Sequence, residues 1–228
     1  MHIGLIGGIG PAATIHYYQG LVDAHAAAGQ ALELTIVQGQ ARDLVANLSQ
    51  GAAERQAEIF SALVARLQAG GAEAAAVTSM GGHFCIRELA AISPLPLIDL
   101  VPEMAAEFAR RKLGRVGLMG TRNVMESHVY GAAGSTEAVL PEGDDLGATH
   151  DAYIAMAQAG RVTDEQRRYF FNVADRLVRD QGAEAVVLAG TDLFLAFQGH
   201  DPGYPVIDSA QVHIDAIHRA AVQGLGGG

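Results

Sequence analysis

A chain that repeats itself is constrained to fold as two copies of one plan, and three segments of this chain return in the same order. Gly71-Ala-Glu-Ala-Ala-Ala-Val77 comes back as Gly182-Ala-Glu-Ala-Val-Val-Leu188, a spacing of 111. Ile3-Gly-Leu-Ile-Gly7 comes back as Val116-Gly-Leu-Met-Gly120 at a spacing of 113, and Pro96-Leu-Ile-Asp99 as Pro205-Val-Ile-Asp208 at 109. Alanine-rich chains throw up chance matches, but common order and spacings that differ only by loop-sized steps read as two similar halves.

Each repeated segment is a short apolar run that ends in Gly, Ser, Thr or Asp, the pattern of a buried parallel strand leading into a loop. Helical periodicity lies between the runs. Ala53 to Ala69 sets Ile59, Leu63, Val64 and Leu67 at helical spacing, and Asp164 to Asp180 does the same with Phe170, Phe171, Val173, Ala174, Leu177 and Val178. Strand, helix and strand in succession predict right-handed crossovers and a parallel sheet in each half. The expected fold is α/β: two pseudo-symmetric parallel-sheet lobes with a cleft between them, residues 1–99 plus 209–228 forming the first and 100–208 the second. The final helix, around Gln211 to Gln223, is expected to return to the first lobe. The loops after Ile6, Val77, Met119 and Leu188 leave carboxyl ends of parallel strands, where open α/β sheets hold ligands.

Composition narrows the partners. The 228 residues are 50% hydrophobic and 18% charged, too apolar for a disordered chain. A net charge of −10 repels polyanions, and Arg110 to Lys112 is the only basic triplet, so nucleic acid is not expected. The single Cys85 cannot form an internal disulfide, which favours the cytoplasm. Met1 to Gly10 lacks the pattern of a secretory leader, and no apolar run is long enough for a membrane helix, so no membrane is expected as partner.

Gly7-Gly-Ile-Gly-Pro11 follows a strand and precedes a helical run from Ala12 to Ala27, with Pro11 suited to a first helical position. Free amides at such a turn suit an anion, which makes Gly8 and Gly10 candidate binding residues; the same glycines equally serve a tight turn alone. Gly8, Gly10 and Ala13 also fit a dinucleotide pattern. That pattern needs an acid at the end of the second strand, and Leu34 to Gln38 ends in glutamine. No Gly-Lys-Ser/Thr follows to make a nucleotide-phosphate loop.

Gly7-Gly-Ile-Gly-Pro-Ala-Ala-Thr14 with Tyr17-Tyr18 behind it resembles the amino-terminal signature of the aspartate/glutamate/hydantoin racemase family, which often reads GGMGPxAT with an aromatic pair. Ser79-Met80-Gly81-Gly82-His83 stands where that family has a Cys-Asn-Thr-x-His loop, and Gly190-Thr191-Asp192 where it has Cys-Thr-Glu. Gly120-Thr121, Met125, Asp208-Ser209 and His213 also resemble family landmarks, so the likeness spans nearly the whole chain.

The resemblance implies racemisation or epimerisation of acidic amino acids or their relatives without pyridoxal phosphate or any other cofactor or metal, in a homodimer. In the family a thiol from each lobe acts on opposite faces of the α-carbon, one as thiolate base and the other as acid. Here the corresponding residues are Ser79 and Gly190, so that mechanism cannot run, and Cys85 in its apolar run reads as a core residue. The remaining candidates for proton transfer are Ser79, Asp192 in place of the family's glutamate, and His83 as an aid to Ser79. Candidates for binding a small carboxylate or amino acid are Gly8, Gly10, Arg42, Met80, Gly81, Thr121 and Thr191. Asp192 could equally cap the next helix, and Arg42 could be an exposed helix-start residue. A cofactor-independent decarboxylase or lyase, and a carboxylate-binding protein without chemistry, are the alternatives.

Overall fold

Four consecutive apolar residues, Ala74–Val77, cannot alternate between a wet and a dry face, so they form a strand only where both faces are covered. In the computed structural model of the protein, which describes residues 1–127 and 136–225, that strand and its counterpart Ala185–Leu188 are buried throughout, each in its own parallel sheet. The chain divides into two units, Met1–Leu100 with His213–Gly228, and Val101–Val212. Both are parallel-sheet α/β structures, as the repeat predicts.

The first unit runs β1 (Ile3–Gly7), α1 (Pro11–Ala27), β2 (Leu34–Gln38), α2 (Ala41–Ser49), α3 (Ala53–Ala69), β3 (Ala74–Val77) and α4 (Ile86–Ile92), with strand order β2-β1-β3. After α5 (Leu100–Arg111), the second runs β4 (Arg115–Met119), α6 (Arg122–Glu126), β5 (Glu137–Val139), α7 (Asp144–Ala159), α8 (Asp164–Arg179), β6 (Ala185–Leu188), α9 (Phe194–Phe197) and β7 (Val206–Asp208), in the order β5-β4-β6-β7. The last helix, α10, is Ser209–Gln223. Among the described residues no helix is long and apolar enough to cross a membrane.

The sequence repeat is a repeat of register. Ile3 pairs with Ala74 in the first sheet and Val116 with Ala185 in the second. Packing repeats too: a β-carbon on Gly4 would stand 2.9 Å from Leu67 of α3, and one on Gly117 2.9 Å from Leu177 of α8. A glycine in the central strand thus lets each long helix lie close to its sheet. Buried leucines and aromatics complete two separate cores, Phe60, Val64 and Leu67 in one, Phe170, Val173 and Leu177 in the other. The α8 helix is held at its start by a reciprocal cap between Thr163 and Gln166.

One repeated segment departs from its expected strand. Pro205–Asp208 gives β7, whereas Pro96–Asp99 makes a single bridge, Leu97 beside Ala75. The first rungs are alike: Ala75 N–H donates to Pro96 O at 3.0 Å, and Val186 N–H to Pro205 O at 2.9 Å. The next acceptor in the first unit would be Ile98 O, and it instead takes a hydrogen bond from His213 Nε2 at 2.8 Å. A side chain from α10 ends the ladder there.

Candidate active site

The glycine loop after β1 is built around Thr14. Gly8 has φ +80, a left-handed conformation that favours glycine, and a β-carbon on it would collide with the Gln38 side chain. Its N–H donates to Thr14 Oγ1 at 2.8 Å, while the Thr14 hydroxyl donates to Gly10 O at 3.0 Å. The Gly8 amide is thus engaged inside the chain, where the glycine pattern alone suggested a free donor. Gly10 begins α1 without a side-chain cap, and Pro11 follows at the first helical position.

The loop after β3 carries Ser79, half-buried, followed by a tight helical turn over Gly81–Cys85. Gly82 N–H approaches Ser79 Oγ at 3.4 Å. His83 does not face that hydroxyl. Its Nδ1 lies 2.8 Å from Ser79 O, which can only accept, so Nδ1 carries the proton. Nε2 is then the acceptor for Leu100 N–H at 3.4 Å, and it lies 3.8 Å from Asp99 Oδ1. His83 thus holds the loop's backbone through the Ser79 carbonyl. Burial holds its pKa below the usual histidine value, against the opposing pull of Asp99 and the Ser79 carbonyl.

Beneath it lies a buried pair that the sequence did not place. Tyr17 OH donates to His213 Nδ1 at 3.0 Å, because His213 Nε2–H is committed to Ile98 O. Burial, with His83 nearby, pushes the His213 pKa down to about 3. The two histidine rings stand edge to face at 5.8 Å. Cys85 is wholly buried in the first core, and burial together with Glu88 pushes its thiol up to about 12.

The other three predicted binding residues of this unit differ in exposure. Met80 is buried, so its side chain belongs to the interior, and Gly81 beside it is half-buried. Arg42 opens α2 with a side chain 93% exposed and an ion pair to the adjacent Asp43 at 3.6 Å.

In the second unit the ends of β4 and β6 come together. A β-carbon on Gly120 would lie 3.0 Å from Gly190 N, which brings Gly120-Thr121 beside Gly190-Thr191. Thr121 caps α6, its hydroxyl accepting from Val124 N–H at 3.3 Å. Thr191 and Asp192 are buried in a short helical turn, Thr191–Leu193. Asp192 Oδ2 accepts a hydrogen bond from the hydroxyl of Tyr153 on α7 at 3.2 Å. The ring of Tyr153 also fills the place of a side chain at position 190, since a β-carbon there would lie 2.3 Å from Cε2 and 3.0 Å from the phenolic oxygen. Nothing in the sequence singles out Tyr153: with Thr149 and Met156 it reads as one more core position on a helix. Among the described residues no group of three or more His, Cys, Asp or Glu side chains is arranged to hold a metal ion.

The family model described as Asp/Glu/Hydantoin racemase matches residues 6–217. Among solved structures, the chain is similar to a Yersinia pestis protein assigned to the Asp/Glu racemases, with 24% identity and a TM-score of 0.84 over 98% of this chain and 100% of that one. It is similar to PH1733, an aspartate racemase homologue from Pyrococcus horikoshii, at 22% identity and TM-score 0.81, covering 97% of this chain and 99% of the other. The glutamate racemase of Francisella tularensis in complex with D-glutamate matches at 14% identity and TM-score 0.64, over 97% and 81% of the two chains. At these identities the structures establish a common fold.

Proposed function

The chain belongs to the Asp/Glu/hydantoin racemase family, and on that premise we propose that it is a cofactor-independent isomerase acting on an amino acid or related small carboxylic acid by groups other than a pair of thiols. The observation that carries the second half of this reading is the fate of sulfur: Ser79 and Gly190 stand at the two strand ends, and the only cysteine is buried with its thiol pushed up to about 12. No thiolate base is then at hand in either loop, and we assign proton transfer to oxygen.

Ser79 and Asp192 are the groups we assign to proton transfer. Serine is a weak acid and a weaker base, so its part is to donate a hydrogen bond or a proton to charge developing on the substrate. Asp192 supplies the basic group, a buried carboxylate bonded to the Tyr153 hydroxyl. Thr121, Thr191 and Gly81 lie at strand ends or in the loop after one, where a hydroxyl or an amide serves a substrate carboxylate. Family resemblance adds a homodimer, which light scattering measures directly.

The test is incubation of the protein in D2O with a panel of amino acids, hydantoins and dicarboxylates. Deuterium uptake at the α-carbon with loss of optical activity is the expected result. Carbon dioxide release would transfer the reading to a decarboxylase, which needs proton delivery on one face only, and binding without exchange would make the protein a carboxylate receptor. Rapid racemisation of free aspartate or glutamate at rates like those of a two-thiol enzyme is not expected.

A further inference from the structure

We propose that the phenolic oxygen of Tyr153, backed by Asp192, is the proton-transfer atom of the second unit, standing where a side chain at position 190 would reach. The inference rests on the isomerase reading and names the group that would take a thiol's part in the second unit. Two independent features carry it. The first is position: the phenolic oxygen lies 3.0 Å from the point where a β-carbon on Gly190 would stand, at the carboxyl end of β6. The second is chemistry. The same hydroxyl donates at 3.2 Å to a carboxylate whose residue is only 3% exposed, and Tyr153 itself is 7% exposed. Filling a void beside a glycine calls for a phenylalanine; a buried tyrosine paired with a buried aspartate is the more costly choice, since both polar groups must be desolvated.

The hydrogen-bond direction sets the reaction. As the substrate C–H bond breaks, its electron pair stays on the α-carbon and spreads into the carboxylate, and its proton passes to the phenolic oxygen. The phenol's own O–H bond breaks in the same step, and that proton passes to Asp192 Oδ2. Tyr153 stays neutral throughout and Asp192 ends protonated. In the reverse direction Asp192 returns its proton to the phenolic oxygen, which delivers the other to the carbanion. Basicity comes from the carboxylate and reach from the phenol, so neither thiolate nor free phenolate is needed.

Two measurements test this, one with turnover and one without. In the D2O assay, using the panel compound with fastest wash-in, Tyr153→Phe keeps the ring against Gly190 and is expected to lower the exchange rate at least about 100-fold, with KM and thermal midpoint little changed. Asp192→Asn should match it, and the two together should cost no more than either alone. Exchange retained within a few-fold by Tyr153→Phe would overturn the assignment. The second measurement uses para-fluorosulfonylbenzoate, a small carboxylate that forms an oxygen–sulfur bond with activated phenols and expels fluoride. Of the six tyrosines, Tyr153 should be modified first, and at least about ten times more slowly in Asp192→Asn. A Tyr153 left unmodified while exposed tyrosines react would also overturn it. If no panel compound exchanges yet Tyr153 reacts in this Asp192-dependent way, the isomerase reading fails and the activated phenol stands.

Discussion

The loop after β3 and the loop after β6 occupy equivalent places in two copies of one scaffold, yet they are kept in shape by different means. In the first unit the loop is pinned through its backbone, His83 holding the Ser79 carbonyl, and the serine is half-buried. In the second unit the loop is pinned through side chains, with Tyr153 lying on Gly190 and bonded to Asp192. Register and helix packing are alike in the two units because any change in them disturbs a whole sheet. A loop can differ by two or three residues without disturbing its sheet, and here the space beside Gly190 is filled by the Tyr153 ring.

The strongest way to break this comparison is to add the same atom to both loops. Ser79→Cys exchanges oxygen for sulfur at a half-buried position and should change stability by no more than about 0.5 kcal/mol. Gly190→Cys must push its β-carbon into an aromatic ring 2.3 Å away and should cost about 3 kcal/mol or more. Placing a thiol in each loop is therefore not enough to make a two-thiol site; Tyr153 has to shrink as well. In a cycle of Gly190→Cys with Tyr153→Ala, urea denaturation should give a favourable coupling of about 2 kcal/mol, the value expected when two residues contend for one space. Additive effects within about 0.5 kcal/mol would mean that the ring swings aside freely.

Acid separates the loops by a smaller amount. His213 is neutral in the folded protein with a pKa pushed down to about 3, and unfolded it titrates near 6.5. Between those values the unfolded chain binds a proton that the folded chain refuses, so stability is complete above about pH 6.5 and falls as the pH drops towards 3, by at most about 1.4 kcal/mol per unit. His83 shifts in the same direction and steepens the loss, while Asp99 opposes it by favouring a charged His83. His213→Asn replaces the ring by an amide that does not titrate and should flatten this part of the profile, measured by thermal midpoints between pH 7 and pH 4. A midpoint equally acid-sensitive in that variant would place the titrating group elsewhere.

Much of the scaffold was legible in the sequence because strand periodicity and repeat spacing are local. The 113 and 111 spacings reappear as the pairings of Ile3 with Ala74 and Val116 with Ala185, and the helix read from Ala53 to Ala69 keeps those bounds. The sites were only half legible. Motif spacing placed Ser79 and Asp192 on strand-end loops, but it said nothing of what faces them. Tyr153 is 37 residues before Gly190 on a helix with an ordinary apolar stripe, and only the folded contact reveals it. Gly8 looked like an anion donor because the pattern lists its amide as free; Thr14, six residues on, takes it.

Arg42 gives the smallest and most delicate comparison, between a charge offered to solvent and the neutral donors at the strand ends. Its guanidinium is 93% exposed and pairs only loosely, at 3.6 Å, with a neighbour in the chain. A side chain so placed has its full rotamer freedom to lose on binding, and water and salt screen its attraction for a carboxylate; exposed ion pairs typically return about 0–1 kcal/mol. Arg42→Ala should accordingly leave the thermal midpoint unchanged and weaken binding of a dicarboxylate less than about fivefold by calorimetry, with the difference vanishing as salt is raised. A buried hydroxyl such as that of Thr191 loses no comparable freedom, and removing it from a bound carboxylate leaves a charge unsatisfied, so Thr191→Val should weaken binding more than Arg42→Ala does. If instead Arg42→Ala proved the more damaging, by tenfold or more and independently of salt, the guanidinium must leave solvent to meet the substrate. The first turn of α2 would then move on binding, and the exposed position would be that of the empty protein alone.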